Sequence, residues 1–369
     1  MIELAQPAPE EPLNFLPGPV GVHRSVHEAF CRPAISHRSE VFHEDFHGAR
    51  RRLGELAGAP HVQVLLGSGT LANDAVAAQL SLGRERGLVL SNGEFGERIA
   101  EQARRFGLEH RVLESGWGQP LPYDQARRAL AAGRFRWIWA VHCETSTGVL
   151  NDLGALKTLA RDAGVRLCVD CISTLGAVPL SLDGVDLATG VSGKGLASYP
   201  GLSFVFHHRP IEPAPTLPRY LDLGLYAQSP ATPFTSSSNL LAALAASLDR
   251  AGAPRLRAEL GRRLRPRLEA LGFTLLAPLA ISSPVVITLH PPRPVRAFDL
   301  GGLLESRGVL LSYRSEYLMR RNLLQVCLLG EHDLSQGERL LEALGAALED
   351  LGGPRYTPWP TTRQSGGPK

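Results

Sequence analysis

The chain has 369 residues, 44% of them apolar and 20% charged, with a formal net charge of +3. That length is ample for one large core plus a smaller one, and the charges are spread without a long run of one sign. Neither nucleic acid nor an anionic membrane is therefore expected as a partner, and small molecules are.

The first twelve residues hold Glu3, Glu10 and Glu11 and no basic residue, so they do not read as a secretory signal peptide, and nothing later approaches a membrane span. Five cysteines (Cys31, Cys143, Cys168, Cys171, Cys327) are too few for a disulfide framework in so long a chain, which points to a reducing cytoplasm. Of 39 basic residues only Lys157, Lys194 and Lys369 are lysines. A lysine retained against such a drift toward arginine is a candidate for amine chemistry that a guanidinium cannot perform.

Taken in order, residues 1–13 read as an N-terminal tail and 353–369 as a flexible C-terminal one, both Pro-rich or Gly-rich without periodicity. The stretch VFHEDFHGARRR (41–52) contains His43, Glu44 and His47 in the register H-E-x-x-H, which on a helix aligns two imidazoles as in a zinc hydrolase. Phe42, Phe46, Ala49, Leu53 and Leu56 form an apolar seam on the same helix, however, with His43 and His47 beside it. The helix reads first as a packing element; zinc chemistry at His43 and His47 is the remote alternative, and no metal site is assigned.

Short apolar runs predict strands over 61–67, 87–92, 136–142, 165–171, 186–192 and 202–208. Helical patterns fall between most of them, from Leu71 to Leu82, Gly96 to Phe106, Tyr123 to Ala132 and Leu153 to Ala163. The alternation predicts an α/β large domain over 14–250, with a mostly parallel central sheet flanked by helices. A smaller C-terminal α+β domain follows over 251–352: a basic amphipathic helix from Pro254, strands PVVITLH and LLQVCLLG, and a closing helix from Leu334.

Ligands in open α/β sheets bind at the carboxyl ends of the strands. GSGTLAND (67–74) follows a strand and opens a helix, so Gly67, Ser68, Gly69 and Thr70 could cradle an anion through backbone N–H groups and hydroxyls, although an ordinary capped turn has the same pattern. HCETSTG (142–148) gathers polar side chains after a very apolar run. CVDCIST (168–174) puts Asp170 at the end of a buried strand, where it needs a cationic partner. Its C-x-x-C is not read as a redox or zinc site, since an odd spacing in a strand sends Cys168 and Cys171 to opposite faces. VSGKGLASYPG (191–201) places Lys194 in a small-residue loop, as a Schiff-base lysine requires. An anion cradle, a carboxylate for a protonated ring nitrogen, donors for a phenolate and an amine for an aldehyde together match the requirements of pyridoxal 5'-phosphate (PLP).

The succession NFLPGPVGV, SHRSEVF, GSGTLAND, SNGEFGER, HCETSTGVL, VDCISTLGAVPL, SGKGLASYPGLSF and PFTSSSNLLAAL resembles the class V aminotransferases of PLP fold type I, in particular the alanine/serine-glyoxylate and 2-aminoethylphosphonate transaminase branch. The resemblance runs from about Asn14 to Gly352. It implies a transferase that moves an amino group from a small amino donor to a 2-oxo acid of the glyoxylate or pyruvate type. Lys194 would form the Schiff base, Asp170 would hold the pyridine nitrogen, and Gly67 to Thr70 the phosphate. Phe95 would stack on the ring and Thr145 would sit near the phenolic oxygen. Thr235 would reach the phosphate of a neighbouring subunit, implying a homodimer with shared active sites. Two positions depart from the pattern. Gln325 stands where the family usually has a substrate-binding arginine, so a lyase, desulfurase or epimerase on the same fold stays open. Arg321, expected on the same strand face four residues earlier, and Arg38, with Arg314 and Arg320, are the candidate substitutes. Gly193 replaces a polar residue that often precedes the lysine.

Overall fold

The structure, a computed structural model, describes residues 12–250 and 254–354. Most of the two expected tails lies outside the described residues. Leu13, assigned to the N-terminal tail by its sequence, is instead buried: Leu13–Asn14 pairs in parallel with Val309–Leu310, and Leu13 and Phe15 share a core with the C-terminal unit.

Seven strands form the central sheet, in the spatial order His61–Leu66, Leu202–His207, Leu187–Val191, Arg166–Asp170, Trp137–Val141, Gly87–Ser91 and His110–Glu114. Only Leu202–His207 runs against its neighbours, so the carboxyl ends of the other six lie along one edge. The five residues of Gly87–Ser91 and of Trp137–Val141 are all buried, as an unbroken apolar run covered on both faces should be. His110–Glu114 has no counterpart among the predicted strands. It is the sheet edge, with only Leu113 buried, and its polar residues erase the apolar run that marks a central strand. Cys168 and Cys171 fall in different apolar clusters, as opposite faces require.

Helices Gly69–Ser81, Glu94–Arg105, Tyr123–Ala132 and Leu153–Ala163 fill the crossovers. Ser238–Leu248 escapes helical periodicity because it is apolar almost all round; it packs against Arg24–Phe30 and Glu40–Ala57. A second sheet, in the order Thr274–Leu275, Val286–His290 and Leu324–Cys327, lies in the C-terminal unit with helices Pro254–Ala270 and Leu334–Asp350. Its core joins Leu260, Leu264 and Leu268 to Leu340, Leu344 and Leu348. Among the described residues no helix is long and apolar enough to cross a membrane.

Helix Glu40–Ala57 carries the H-E-x-x-H register. Ser39 caps its start by accepting from the Phe42 N–H at 3.3 Å, and Gly58 ends it in the left-handed region at φ 68°. Phe42, Phe46, Ala49 and Leu53 are buried along one side; Glu44 and His47 are exposed and His43 is half-buried on the flank. Among the described residues no group of three or more His, Cys, Asp or Glu side chains is placed to hold a metal ion. Removing the fully buried Phe42 ring should therefore cost about 3–5 kcal/mol, whereas His47→Ala should stay within about 0.5 kcal/mol, both read from urea unfolding. The packing account fails if the histidine variant is the more damaging of the two.

Candidate active site

The strand ends converge on a cavity of about 580 Å³ lined by Gly67, Ser68, Gly69, Thr70, Phe95, Thr145, Asp170, Ser173, Gly193 and Lys194, among others. Eight of the residues named in advance for a PLP site, Gly67 to Thr70, Phe95, Thr145, Asp170 and Lys194, thus share one space. Thr235 does not line this cavity and is exposed on the segment before helix Ser238–Leu248.

Ser68 caps helix Gly69–Ser81 with extended backbone, but its hydroxyl makes no capping bond. Ser68 and the first residues of that helix, Gly69 and Thr70, line the cavity, and a helix start leaves N–H groups without intrahelical partners, an arrangement suited to an anion. The residue at 69 is tightly packed: a Cβ there would come within 2.5 Å of Ile172 Cδ1 and 3.1 Å of Val191 Cγ1, so a larger residue would displace those side chains. The glycine before Lys194 has the same kind of cause, because a Cβ on Gly193 would sit 2.8 Å from Pro200 Cα. No polar side chain can stand at 193 without moving the loop.

Asp170 ends its strand and is only 5% exposed. Its Oδ1 accepts from the Ile172 N–H at 2.9 Å and its Oδ2 from Asn73 Nδ2 at 2.8 Å. Burial pushes the Asp170 carboxyl up; the Asn73 and Ile172 donors, and then the charge of Lys194, pull it back. Lys194 is the mirror case. Burial pushes its ammonium pKa down, against the opposing pull of Asp170, Cys327, Cys143 and Glu144. Its Nζ donates to Ser173 Oγ at 3.1 Å, and Ser173 Oγ is 2.6 Å from Thr145 Oγ1. The amine lies 5.3 Å from the centre of the Phe95 ring.

Sequence reasoning passed over Asn73, Ser173 and Glu144, although all three sit inside motifs it quoted. Glu144 is wholly buried and its carboxylate accepts from the Phe95 N–H at 3.3 Å, the Gly96 N–H at 3.0 Å and the Ser146 hydroxyl at 2.5 Å. It thereby caps helix Glu94–Arg105, the element that presents Phe95 to Lys194. A carboxylate between short polar residues directly after an apolar strand was the available signal.

The substrate side departs most from expectation. Arg321 is not on the strand of Gln325: it ends helix Glu316–Arg321, which Asn322 closes in the left-handed region, and its guanidinium lies 3.6 Å from the Trp117 ring. Arg38 is exposed outside the cavity. Arg314 pairs with Glu305 at 2.7 Å and Arg320 with Glu316. Gln325 is buried, and its Nε2 donates to the Thr145 carbonyl and, at 2.9 Å, to Thr288 Oγ1. The arginines that do line the cavity are Arg98 and Arg105, paired with Glu94 and Glu101 at 3.0 and 2.7 Å.

Arg257, from the C-terminal unit, is 4% exposed and donates through Nη1 to the carbonyls of Gly195 at 2.6 Å and Gly176 at 3.1 Å. It ties the loop after Lys194 to the loop after Asp170.

Glu144 yields a pH prediction. Burial raises its carboxyl from 4.5 to about 7, so the folded chain keeps a proton there that the unfolded chain releases between those values. This contribution to stability is present at low pH and lost as pH rises toward 7. Between pH 5 and pH 8 the stability of the wild type relative to Glu144→Gln should fall by roughly 2–3 kcal/mol. Urea midpoints of both proteins measure it; a difference that is flat or grows with pH contradicts the assignment.

The description Aminotransferase class-V matches residues 22–216. The chain is 32% identical over 309 residues to the 2-aminoethylphosphonate–pyruvate transaminase of Burkholderia thailandensis, covering 78% of this chain and 84% of that protein. It is also 32% identical to a protein of Synechococcus sp. named as the small subunit of a soluble hydrogenase, over 95% of this chain and 96% of that one. The crystal structure of an alanine–glyoxylate aminotransferase from Nostoc sp. superposes with a TM-score of 0.83 at 28% identity, over 93% of this chain and 97% of the other. The α/β architecture is that of PLP fold type I, and the cradle, the carboxylate and the amine around one cavity fit that cofactor. The chain belongs to the class V aminotransferases, which are PLP-dependent transaminases.

Proposed function

We propose that this enzyme moves an amino group from a small amino donor to a 2-oxo acid of the glyoxylate or pyruvate type, with Lys194 as its Schiff-base and proton-transfer residue. The observation that carries the reading is a single one: half-buried Lys194 and buried Asp170 line the same cavity beside a helix N-terminus.

PLP, when bound, supplies an aldehyde that condenses with amines and a ring that withdraws electrons. The chain supplies the rest. Gly67 to Thr70 would bind the phosphate through N–H groups and hydroxyls. Asp170 would hold the ring nitrogen in its protonated form. Phe95 would stack against the ring, and Thr145, coupled to Ser173, would serve the phenolic oxygen. Burial favours the neutral amine of Lys194, the form that attacks a carbonyl and that accepts a proton from the substrate carbon at Nζ. Ser173 Oγ, within 3.1 Å, aims that amine.

We further propose a homodimer in the reducing cytoplasm, in keeping with five unpaired cysteines. Thr235, outside its own cavity, would serve the partner's cofactor phosphate. Arg38 and Arg321, also outside, are proposed as contacts for the substrate anion, with Gln325 bracing the wall behind Thr145. The neutral Gln325 keeps a lyase, desulfurase or epimerase as the second reading.

A half-reaction separates the two. The PLP-loaded enzyme mixed with single amino donors should lose its visible absorbance as the cofactor becomes pyridoxamine phosphate, and glyoxylate or pyruvate should restore it. Lys194→Ala should lower the rate by about 10²-fold or more, as expected for removal of the general base. Cleaved or racemised product without conversion of the cofactor would overturn the transaminase assignment.

A further inference from the structure

The mechanism above gives Asp170 a task that depends on its charge and orientation, yet the strand that carries it fixes neither. The fixing comes from a residue 97 positions earlier in the chain. Asn73 Nδ2 donates to Asp170 Oδ2 at 2.8 Å, and Asn73 Oδ1 accepts from Thr189 Oγ1 at 2.8 Å. All three side chains are buried, with exposures of 6%, 5% and 0% for Asn73, Asp170 and Thr189.

The direction of the amide is determined by its neighbours. An ionised carboxylate only accepts, so the atom facing Asp170 must be the NH2 group, and the carbonyl then faces a hydroxyl that can donate. Thr189 is the register partner of Asp170 on the neighbouring strand, so the sheet itself sets the distance between the two ends of the bridge. The Ile172 N–H holds the other carboxylate oxygen, which leaves the Asp170 carboxylate no free rotation.

Asn73 also belongs to helix Gly69–Ser81, whose first turn forms the anion cradle. One rigid element therefore presents the phosphate site at its N-terminus and, one turn later, grips the carboxylate meant for the ring nitrogen. We propose that Asn73 is a positioning residue for the cofactor: held by Thr189, it keeps Asp170 ionised and aimed at the pyridine nitrogen, in fixed register with the phosphate cradle. The inference rests on the assignment of Asp170 made above. Losing the Asn73 donor would leave a buried carboxylate with one partner fewer, which favours its protonated form and weakens its hold on a pyridinium.

The test uses two ligands that differ at one atom: PLP, and its 1-deaza analogue with carbon in place of the ring nitrogen. Each is titrated into apo protein and followed by quenching of tryptophan fluorescence. Asn73→Ala should weaken PLP by about tenfold or more and the deaza analogue by less than about twofold, since only the former engages Asp170. Equal weakening of both ligands, the mark of a merely structural role, overturns the proposal, as does no weakening of either. Thr189→Val, nearly isosteric, should give a smaller loss confined to PLP and serves as the test if Asn73→Ala does not fold; an unselective effect there counts against the proposal equally. Asp170→Asn is the control for the underlying assignment. If it shows the PLP-selective loss and Asn73→Ala does not, only the inference about Asn73 fails. If Asp170→Asn is itself unselective, the assignment of Asp170 fails with it.

Discussion

The site answers to one electrostatic constraint: a half-buried lysine and a buried aspartate carboxylate line the same cavity without forming a direct ion pair. Among the described residues Lys194 Nζ has no carboxylate within ion-pair distance; its nearest polar partner is a hydroxyl. Two ionisable groups drawn partly out of water, and not paired with each other, are costly unless something bridges them. A ligand with an aldehyde for the amine and a basic ring nitrogen for the carboxylate relieves both. The anion cradle beside them fixes which end of that ligand goes where.

The fold supplies this arrangement through topology. With six of the seven strands pointing the same way, each strand end delivers its loop to one edge, so residues far apart in sequence meet there. The C-terminal unit closes the construction from outside. Arg257 clamps the carbonyls behind Lys194 and Asp170, and Gln325 holds the carbonyl of Thr145. Both contacts reach backbone of the segments that carry the site residues, so that unit helps fix where those segments lie.

Much of this was legible beforehand, for physical reasons. Strands buried on both faces are mostly apolar, and a helix start that offers its N–H groups to an anion favours small residues; both leave marks in a short window of sequence, as at Trp137–Val141 and Gly67–Thr70. The H-E-x-x-H register was legible too, and the apolar seam of Phe42 and Phe46 beside it is buried as a packing helix requires. What a window does not show is a contact between distant segments. The Asn73–Asp170 bond spans 97 positions, and Gly193 is explained only by Pro200 folding back over it. Arg321 was misplaced because Asn322 turns the chain in the left-handed conformation between it and Gln325, so the strand never extends that far.

The substrate side follows a different logic from the cofactor side. Gln325, at the position where the family resemblance led us to expect an arginine, has its amide hydrogens engaged with Thr145 and Thr288, so it braces backbone and offers no cation to a substrate. The cofactor side gathers an amine, a carboxylate and an anion cradle around one cavity, and its central claim concerns a single amine. Only three lysines exist in the whole sequence, which makes that claim unusually easy to examine. Borohydride reduction of the PLP-loaded protein, followed by proteolysis and mass spectrometry, should place the pyridoxyl group on the peptide containing Lys194. A label on Lys157 or Lys369, or no label at all, would contradict the account.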